Sequence, residues 1–551
     1  MYILLDIFWF GWVLKYVLFW LYLWQLKEYH TGRFVDHFRT SKGKKLLFNF
    51  EQIFKLFLLI VLFLNLNASP YLISIITLVY LAELVIFGKN IYLKNFKKPV
   101  KTFKTIFLTC ASFAVVVLFL FWTFRIKIFL QPILILGFDI VTPIIISAIV
   151  LFFQPFFVFA RNLKLKKAEN KLEKIRNLNN LKIIAITGSY GKTSTKEFLT
   201  TILSKKFKVL STSAHQNSEI GIANCILNDL KPSHQVFIAE IGAYNKGKVR
   251  EVCNILKPKF GIITGVNEQH LSLFGSMKNL LLAEGGQEMS KTLPECGTLF
   301  LNGDNKYCLD LYKKDGKYNK KIYSIDNKII NSDVWSDSVE VFRDYISFLA
   351  VDKTGSLAHF DVKVLGKQNV QNLLGAILVA KELGMPMGEI SEACKNIIQE
   401  QGGMVLKQGK HGIDIIDSSY SANPDGVFAD LKYLSIFPNK KIIVMPCLIE
   451  LGKKSSEIHE KIGKGIATVC DLAIITSKDK FKEIEKGFNE AKLALRVIPA
   501  EAGIQSRSPN HGTVIFCDKP EEIYSAITLF AKSGDTVLLE GRVPNKLHEL
   551  F

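Results

Sequence analysis

The chain has 551 residues, a formal net charge of +20 and 49% hydrophobic residues, so it is too long for one hydrophobic core and should form several domains. The positive charge could indicate a nucleic-acid partner, but much of it lies beside apolar segments, where anionic lipid headgroups account for it, and we expect no nucleic-acid binding. The nine cysteines form no CxxC pair, which is typical of a reducing compartment and argues against a disulfide framework or a cysteine metal site.

The first part of the chain, residues 1–155, is predicted to be an α-helical transmembrane domain with about five helices. Its apolar runs reach or approach the length needed to cross a hydrocarbon layer roughly 30 Å thick. The second and third runs are short for that purpose, so a re-entrant hairpin is an alternative there. The runs cover residues 3–24, 53–66, 71–87, 106–124 and 128–153.

Loop charge predicts the orientation of these helices. Lysine and arginine are concentrated in residues 27–45, 89–104 and 161–182, whereas the other loops carry little charge. Because basic loops stay on the cytoplasmic side, five spans would place the N-terminus outside and everything after the fifth helix inside. We interpret residues 156–180 as a basic, helical and solvated linker.

A glycine turn follows an apolar strand at residues 181–186 and precedes a helical pattern, which is the context of a phosphate-binding loop. Backbone amides and the helix N-terminus would hold phosphate oxygens, Lys192 would neutralise the β and γ phosphates, and the Thr193 hydroxyl would reach Mg²⁺. The turn is shorter than the common P-loop, because Ile186 stands where that pattern begins with glycine. The expected nucleotide-binding residues are Gly188, Ser189, Tyr190, Gly191, Lys192, Thr193 and Ser194.

The rest of the chain alternates strand-like and helical segments, which predicts α/β domains over residues 181–401 and 402–551. Strands are expected at 183–187, 236–240, 261–264 and 298–301, followed by an antiparallel extension over 321–365. A second, Rossmann-like lobe has expected strands at 413–416, 441–445, 472–476, 513–516 and 536–539. Residues 496–512 are rich in Pro, Gly and Ser and are interpreted as a surface insertion.

Motifs spread over this half resemble the Mur ligase family, and most of all its type that adds D-alanyl-D-alanine to the muramoyl tripeptide. Each motif is weak alone, but their order and spacing along residues 181–551 are specific. They read TGSYGKTSTKE (187–197), HQNSEIG (215–221), IAEIGA (238–243), IT, HL and FGS (263–276), LGKQNVQN (365–372), DSSYSANP (417–424) and ELG (450–452) with His459.

The resemblance implies a central ATP-binding domain, a C-terminal Rossmann-like domain and an ATP-dependent ligase. Such enzymes transfer the γ-phosphoryl group to a carboxylate, and an amine then displaces phosphate to form an amide. ATP and Mg²⁺ are the implied cofactors, with catalysis by Lys192, Glu240, His270 and Glu284. Thr193, Glu240 and His270 would hold metal, although a strand-end surface glutamate and a satisfied loop histidine are the simpler interpretations of Glu240 and His270.

Three further residues are candidates for nucleotide contacts. Asp417 resembles the family residue that reaches the ribose, and a turn-forming aspartate is the alternative. Asn369 and Asn372 are spaced to share one helix face and could approach the adenine, or could cap or pack.

The chain departs from the family pattern at several positions. Glu284 stands where the family has a lysine that is carbamylated to supply a carboxylate. We hypothesise that Glu284 supplies that carboxylate directly; the alternative is a solvated helix residue and an altered site. Gly403, Gln368 and the run 540–542 stand where Arg, His and Lys-Gly-Ser are usual.

The largest departure is at the front, where family members carry a soluble domain for the uridine nucleotide of the substrate. The expected function is therefore amide-bond formation in peptidoglycan precursor assembly, at the inner membrane of a bacterium, with the ligase domains in the cytoplasm. The acceptor would be a small-molecule or lipid-linked carboxylate, and the amine an amino acid or dipeptide. A membrane-associated ligase similar to poly-γ-glutamate synthetase and a noncatalytic ATP-binding scaffold are the alternatives.

Overall fold

The computed structural model describes residues 1–64, 70–93, 96–126, 130–213, 216–243, 246–326, 331–420, 422–497 and 512–550. The chain divides into two compact units, Met1–Asn162 and Leu163–Phe551. Most of the insertion predicted at 496–512 lies outside the described residues, as do His215 and Ser421 of the motifs.

The first unit consists of apolar helices. Its elements are α1 Tyr2–Leu26, α2 Thr31–His37, α3 Ser41–Leu47, α4 Phe50–Leu64, α5 Pro70–Tyr92, α6 Phe103–Thr123 and the beginning of α7 Gln131–Asn179. Within the described residues, five helical stretches are long and apolar enough to cross a membrane by length and composition alone, namely Tyr2–Leu26, Gly43–Leu64, Pro70–Tyr92, Phe103–Thr123 and Gln131–Asn179.

The second run lies in α4, which begins at Phe50 and has 15 residues, and the third lies in α5, which has 23 residues. The apolar stretch Gly43–Leu64, with 22 residues, includes the end of α3 and the break at residues 48–49 as well as α4. The third run therefore extends to spanning length, whereas a re-entrant hairpin stays the alternative at the second.

The segment interpreted as a solvated linker is helical but not solvated, so that part of the prediction was wrong. Leu165, Ala168, Leu172 and Ile175 are buried and belong to a core cluster of the second unit. Their spacing places them on one helix face, while the basic residues that dominate the composition occupy the other faces.

The central domain has a sheet with the strand order β2-β3-β1-β4-β5-β6-β7-β8-β9. Pairing is parallel from β2 to β7 and antiparallel from β7 to β9, so the antiparallel extension is confirmed except for the parallel β6. The strands are β1 Lys182–Thr187, β2 Val209–Ser211, β3 Val236–Glu240, β4 Phe260–Ile263, β5 Thr298–Asn302, β6 Asn319–Ser324, β7 Val334–Val341, β8 Ile346–Asp352 and β9 Leu357–Val362.

Helices cover both faces of the central sheet because the inner strands are buried on both sides. The carboxyl ends of β1, β3 and β4 meet at one edge, where their loops come together. The helices are α8 Lys192–Ser204, α9 Glu219–Asn228, α10 Lys248–Leu256, α11 Leu271–Phe274, α12 Met277–Ala283, α13 Gln287–Ser290, α14 Lys306–Tyr312, α15 Gln368–Glu382 and α16 Met387–Cys394.

The C-terminal domain has a sheet with the order β10-β11-β15-β12-β13-β14, parallel except for β10. All the strands predicted in this domain form. The edge strand β10 was not predicted, because it is half-exposed and is not an apolar run. The elements are β10 Val405–Gln408, β11 Asp414–Ser418, α17 Pro424–Leu434, β12 Lys441–Met445, α18 Ser455–Val469, β13 Leu472–Ile475, α19 Phe481–Val497, β14 Thr513–Phe516, α20 Pro520–Phe530, β15 Thr536–Glu540 and α21 Asn545–Leu550.

Candidate functional site

The glycine turn joins β1 to α8 and opens the first turn of that helix. Gly191 has a φ of +71° and is the N-cap of α8, and a Cβ there would lie 2.3 Å from the Asn372 Oδ1 atom. Gly188 has a φ of +138° and faces Thr264 so closely that a Cβ would not fit. Both positions therefore require glycine. The turn exposes the unpaired amides of a helix N-terminus, which suit an anion.

Lys192, the first residue of α8, folds back over the turn. Its Nζ atom donates to the Gly188 carbonyl at 2.6 Å, and the side chain is half-buried. The cation therefore lies against the carbonyl oxygens of Gly188 and Ser189 in the loop.

Glu240, at the end of β3, meets the loop through Thr193. The Thr193 hydroxyl lies 3.1 Å from both carboxylate oxygens, and the Asn217 amide donates to Oε1 at 3.1 Å. Glu240 is 4% exposed, so the interpretation as a surface glutamate is wrong.

Lys196 is a residue that the sequence analysis missed. Its side chain is fully buried, with Nζ 3.4 Å from Glu240 Oε2 and 3.1 Å from Glu197 Oε1. The signal was its position one helical turn after Lys192, which directs it to the same side of α8. Lys196 supplies a second cation beside Glu240.

Glu284 caps the end of α12 and is 1% exposed, so the solvated alternative is wrong. The Ser189 hydroxyl of the loop donates to Oε2 at 2.7 Å, and His270 Nδ1 lies 2.7 Å from Oε1. Burial by itself would raise the pKa of Glu284, but His270, Lys192 and the Ser189 hydrogen bond outweigh it and hold the pKa below its usual value. The carboxylate is thus ionised and bound to the phosphate loop.

His270 also faces the C-terminal domain. Its Nε2 atom lies 3.9 Å from Glu450 Oε2, and the Glu450 carbonyl accepts from the Ser272 amide at 3.0 Å. His459 of the same motif is buried and accepts from the Leu448 amide at 2.9 Å, which fixes the loop that carries Glu450.

A second contact between the domains, at Asn267, also escaped the sequence analysis. Its amide donates at 3.0 Å to both Asn423 Oδ1 and Asp425 Oδ2 at the start of α17. The Asn267 backbone amide donates to the Ser189 hydroxyl at 3.2 Å. The loop after β4 thus connects the phosphate turn to the C-terminal domain.

Asn369 and Asn372 lie on one face of α15, as their spacing predicts. Asn372 Nδ2 donates to Asn369 Oδ1 at 3.0 Å, and Asn369 donates to the Leu365 carbonyl at 2.9 Å. Both are buried, and Asn372 packs against Gly191. These contacts favour the packing alternative, and adenine contact stays a prediction.

Asp417 is not among the residues that contact the loop. Its carboxylate pairs with Lys407 Nζ at 2.7 Å and accepts from the backbone amide of Ser419, two residues ahead, at 3.2 Å. This is the geometry of the turn-forming alternative. The ribose contact stays a prediction.

Two of the departures from the family pattern meet at one residue, Asp430. Gln368 Nε2 donates to Asp430 Oδ1 at 3.1 Å, and Glu540 lies within hydrogen-bonding range of the same side chain. Burial, followed by the charge of Asp430, raises the pKa of Glu540 well above its usual value.

Gly403 lies near Ser194, since a Cβ there would be 3.9 Å from the Ser194 hydroxyl.

The residues around Thr193 suit Mg²⁺ because they supply a hydroxyl and a carboxylate, both oxygen donors. Within the described ranges no group of three His, Cys, Asp or Glu side chains could hold a metal ion. A magnesium ion at this place would therefore need further oxygens from phosphate and water.

The fold and the site define an α/β domain with a glycine turn at a helix N-terminus, followed by a Rossmann-like domain. Residues 186–380 match the Mur ligase middle domain, and residues 404–543 match the Mur ligase glutamate ligase domain. Together these matches cover more than half of the chain, and the chain belongs to the Mur ligase family.

Curated relatives and solved structures agree with this assignment. The UDP-N-acetylmuramoyl-tripeptide–D-alanyl-D-alanine ligase of Escherichia coli K12 is 27% identical over 283 residues, 51% of this chain and 61% of the relative. The ligase of the same name from Borreliella burgdorferi is 32% identical over 285 residues, 51% of this chain and 59% of the relative. The chain thus spans about three fifths of each.

A solved structure, the MurF ligase from Thermotoga maritima in complex with ADP, has the same fold. It matches with a TM-score of 0.58 and 23% identity, covering 71% of this chain and 83% of that one.

Proposed function

We propose that this protein is an ATP-dependent ligase that joins D-alanyl-D-alanine, or a related amine, to the carboxylate of a muramoyl peptide during peptidoglycan precursor assembly. The curated relatives are named for that reaction. The observation that carries the proposal is the buried Glu284 carboxylate, held between Ser189 of the phosphate loop and His270. A noncatalytic scaffold would not need an ionised carboxylate at this place.

The reaction has two steps. An oxygen of the acceptor carboxylate forms a bond to the γ-phosphorus of ATP while the bond to the bridging oxygen of ADP breaks. The amine nitrogen then bonds to the acyl carbon, phosphate leaves with the electron pair, and the amine loses a proton.

The loop and the start of α8 would bind the phosphates, and Lys192 would spread the charge that develops as two anions approach. Thr193 and Glu240, with His270 as the third candidate ligand, would hold a magnesium ion, which would supply positive charge beside the phosphate oxygens. Lys196, with Nζ 3.4 Å from Glu240 Oε2, would help to hold that carboxylate against Thr193.

We infer that Glu284 takes the place of the family's carbamylated lysine. It supplies a negative charge without carbon dioxide and orients His270 through Nδ1, which leaves Nε2 facing Glu450 of the C-terminal domain. Asn369 and Asn372 remain our candidates for nucleotide contacts, and Asp417 is the weakest of the three candidates, because its contacts with Lys407 and Ser419 are those of the turn-forming alternative.

We further propose that the apolar helices cross the bacterial inner membrane, with the N-terminus outside and the ligase domains in the cytoplasm. Five stretches have the necessary length, and the basic segments 27–45, 89–104 and 161–182 would all be cytoplasmic in that topology. Labelling of single cysteines placed in the loops of intact cells checks this orientation.

The test of the ligase uses the full chain purified in detergent, with a UDP-muramoyl tripeptide, a lipid-linked muramoyl tripeptide and glutamate as alternative acceptors. Phosphate release should require both an acceptor and D-alanyl-D-alanine, and mass spectrometry should show the joined product. Lys192→Ala should abolish release, whereas Lys205→Ala, an exposed lysine after the same helix, should not. Equal phosphate release by wild type and Lys192→Ala would favour a noncatalytic ATP-binding scaffold. A polyglutamate product would favour a ligase similar to poly-γ-glutamate synthetase.

A further inference from the structure

A cluster of charged side chains lies buried among the apolar helices of the first unit. Lys55 of α4 contacts Glu83 of α5 through Nζ and Oε2 at 2.7 Å, and Asp139 of α7 through Nζ and Oδ2 at 2.6 Å. Lys55 and Asp139 are fully buried and Glu83 is 5% exposed. Lys55, Glu83 and Asp139 are hereafter the helix triad.

Aromatic side chains enclose the helix triad. The Trp12 Nε1 group donates to Asp139 Oδ1 at 3.1 Å, and the Tyr80 hydroxyl lies 3.4 Å from Oδ2. The Lys55 ammonium lies 4.6 Å from the Trp12 ring centre and 4.7 Å from that of Tyr80, within cation–π range.

The helix triad lies near the middle of the apolar stretches. Lys55 and Glu83 stand close to the midpoints of Gly43–Leu64 and Pro70–Tyr92, and Trp12 close to the midpoint of Tyr2–Leu26. Charged groups at this depth are costly and rare, and they mark ion or proton sites more often than structural contacts.

The charges of the triad do not balance. Two carboxylates face one ammonium, and Glu83 Oε1 is buried without a hydrogen-bond partner among the described residues. Lys15 on α1 and Glu51 on α4 also interact with Glu83, but their opposite charges leave the excess in place. An ionised, unpaired oxygen in this environment costs far more than a neutral carboxyl.

We propose that the helix triad is a proton-binding site, in which one proton resides on the Glu83 carboxyl at neutral pH and makes the cluster electrically neutral. Asp139 is the carboxylate that Lys55, Trp12 and Tyr80 all face, which leaves Glu83 as the one with an unpartnered oxygen among the described residues. The site lies wholly within the helical unit, so it is independent of the ligase reaction.

The test is infrared spectroscopy of the full chain in lipid nanodiscs at neutral pH, recorded as wild type minus variant. Glu83→Gln should lose a carboxylic-acid carbonyl band that shifts in D₂O. Glu51→Gln, which removes an exposed carboxylate from the same region, should lose none. Other buried carboxyls, such as those of Asp430 and Glu540, are unchanged in all these proteins, so their contributions to the difference spectrum cancel. An unchanged band in folded Glu83→Gln, or an equal loss in Glu51→Gln, would overturn the proposal.

A second variant covers the case in which Glu83→Gln does not fold. Lys55→Met removes the cation and leaves two carboxyls that each need a proton, so the carboxylic-acid band should grow relative to wild type. A band of unchanged area in Lys55→Met would also overturn the proposal.

Discussion

Glu284 and Glu540 are equally buried glutamates in the two domains of the second unit, yet their surroundings set opposite charges. Glu284 lies against His270 and receives a hydrogen bond from Ser189, and these contacts together with the nearby charge of Lys192 hold its pKa below the usual value despite its burial. Glu540 faces the carboxyl of Asp430, and its pKa is raised well above the usual value. Burial alone does not decide the charge of a carboxyl; the donors and cations around it do.

The two residues also differ in what lies next to them. Glu284 touches the phosphate loop, where a negative charge can act on reacting groups. Glu540 touches Asp430, and Asp430 in turn accepts hydrogen bonds from Gln368 and Ser418. This group of residues does not include the phosphate loop. We therefore expect substitutions at the first to affect catalysis and substitutions at the second to affect stability.

The largest effect is expected for Glu284→Gln. Because a neutral amide cannot replace the charge beside His270, turnover in the ligase assay should fall about 100-fold to 1,000-fold. Glu540→Gln is the matched control and should keep turnover within about threefold of wild type. Equal turnover in wild type and Glu284→Gln would remove Glu284 from the mechanism.

Glu284→Lys tests whether Glu284 takes the place of the family's carbamylated lysine, because it restores that lysine. Carbamylation would then return the carboxylate, so activity should be low without bicarbonate and should rise when bicarbonate is added. No response to bicarbonate would show that the pocket does not hold the longer side chain in a productive position.

A smaller effect is expected for Ser189→Ala, which removes one donor from Glu284. Turnover should fall about tenfold, equivalent to about 1.4 kcal/mol. Because the lost hydrogen bond had lowered the pKa of Glu284, that pKa should rise, and activity should be lost at a less acidic pH than in wild type. Rates of the ligase reaction measured across the acid pH range check this prediction. The same pH of half-maximal rate in Ser189→Ala and wild type would contradict it.

Glu540→Gln should change stability in a way that depends on pH. A carboxyl with a raised pKa in the folded state favours folding at low pH and loses that contribution as pH rises through the folded-state pKa. Glutamine stays neutral and can donate to Asp430, so the variant should gain about 1 kcal/mol over wild type at alkaline pH and less at acidic pH. Thermal unfolding at two pH values measures the difference; a constant difference would mean that Glu540 does not titrate there.

The fold was largely predictable because its signals are local. The inner parallel strands of the two sheets are buried apolar runs, and the glycine turn has a fixed place between a strand and a helix, whereas the half-exposed strand β2 was not predicted. The edge strand β10 was not predicted, because half of its residues are exposed. The burial of the last part of α7 was not predicted either, because charged residues dominate its composition and the apolar stripe with Leu165 and Leu172 is narrow.

The site was predictable where a motif named its residues, and not where it depended on distant contacts. Lys192 and Thr193 follow from the loop itself. The contact between Glu284 and Ser189 joins positions 95 residues apart, and burial of Lys196 follows from the packing of α8. The sequence offered Glu284 only as a substitution in a motif, with two open interpretations.

Asp417 is a third carboxylate, with surroundings between those of Glu284 and Glu540, and the smallest effect is expected there. Burial would raise its pKa, but the hydrogen bonds and charge of Lys407 and the hydrogen bonds of Ser419 lower it, while Lys407 itself is exposed. Asp417→Asn keeps an oxygen for the Ser419 amide and loses only an ion pair that is worth about 0–1 kcal/mol. We therefore expect a KM for ATP within about twofold of wild type and a nearly unchanged free energy of unfolding.

Lys407→Met, which removes the other half of the ion pair, is the control. A KM for ATP that rises in Asp417→Asn alone, with unfolding unchanged, would instead assign Asp417 to the nucleotide, because no stability effect could then account for the weaker binding.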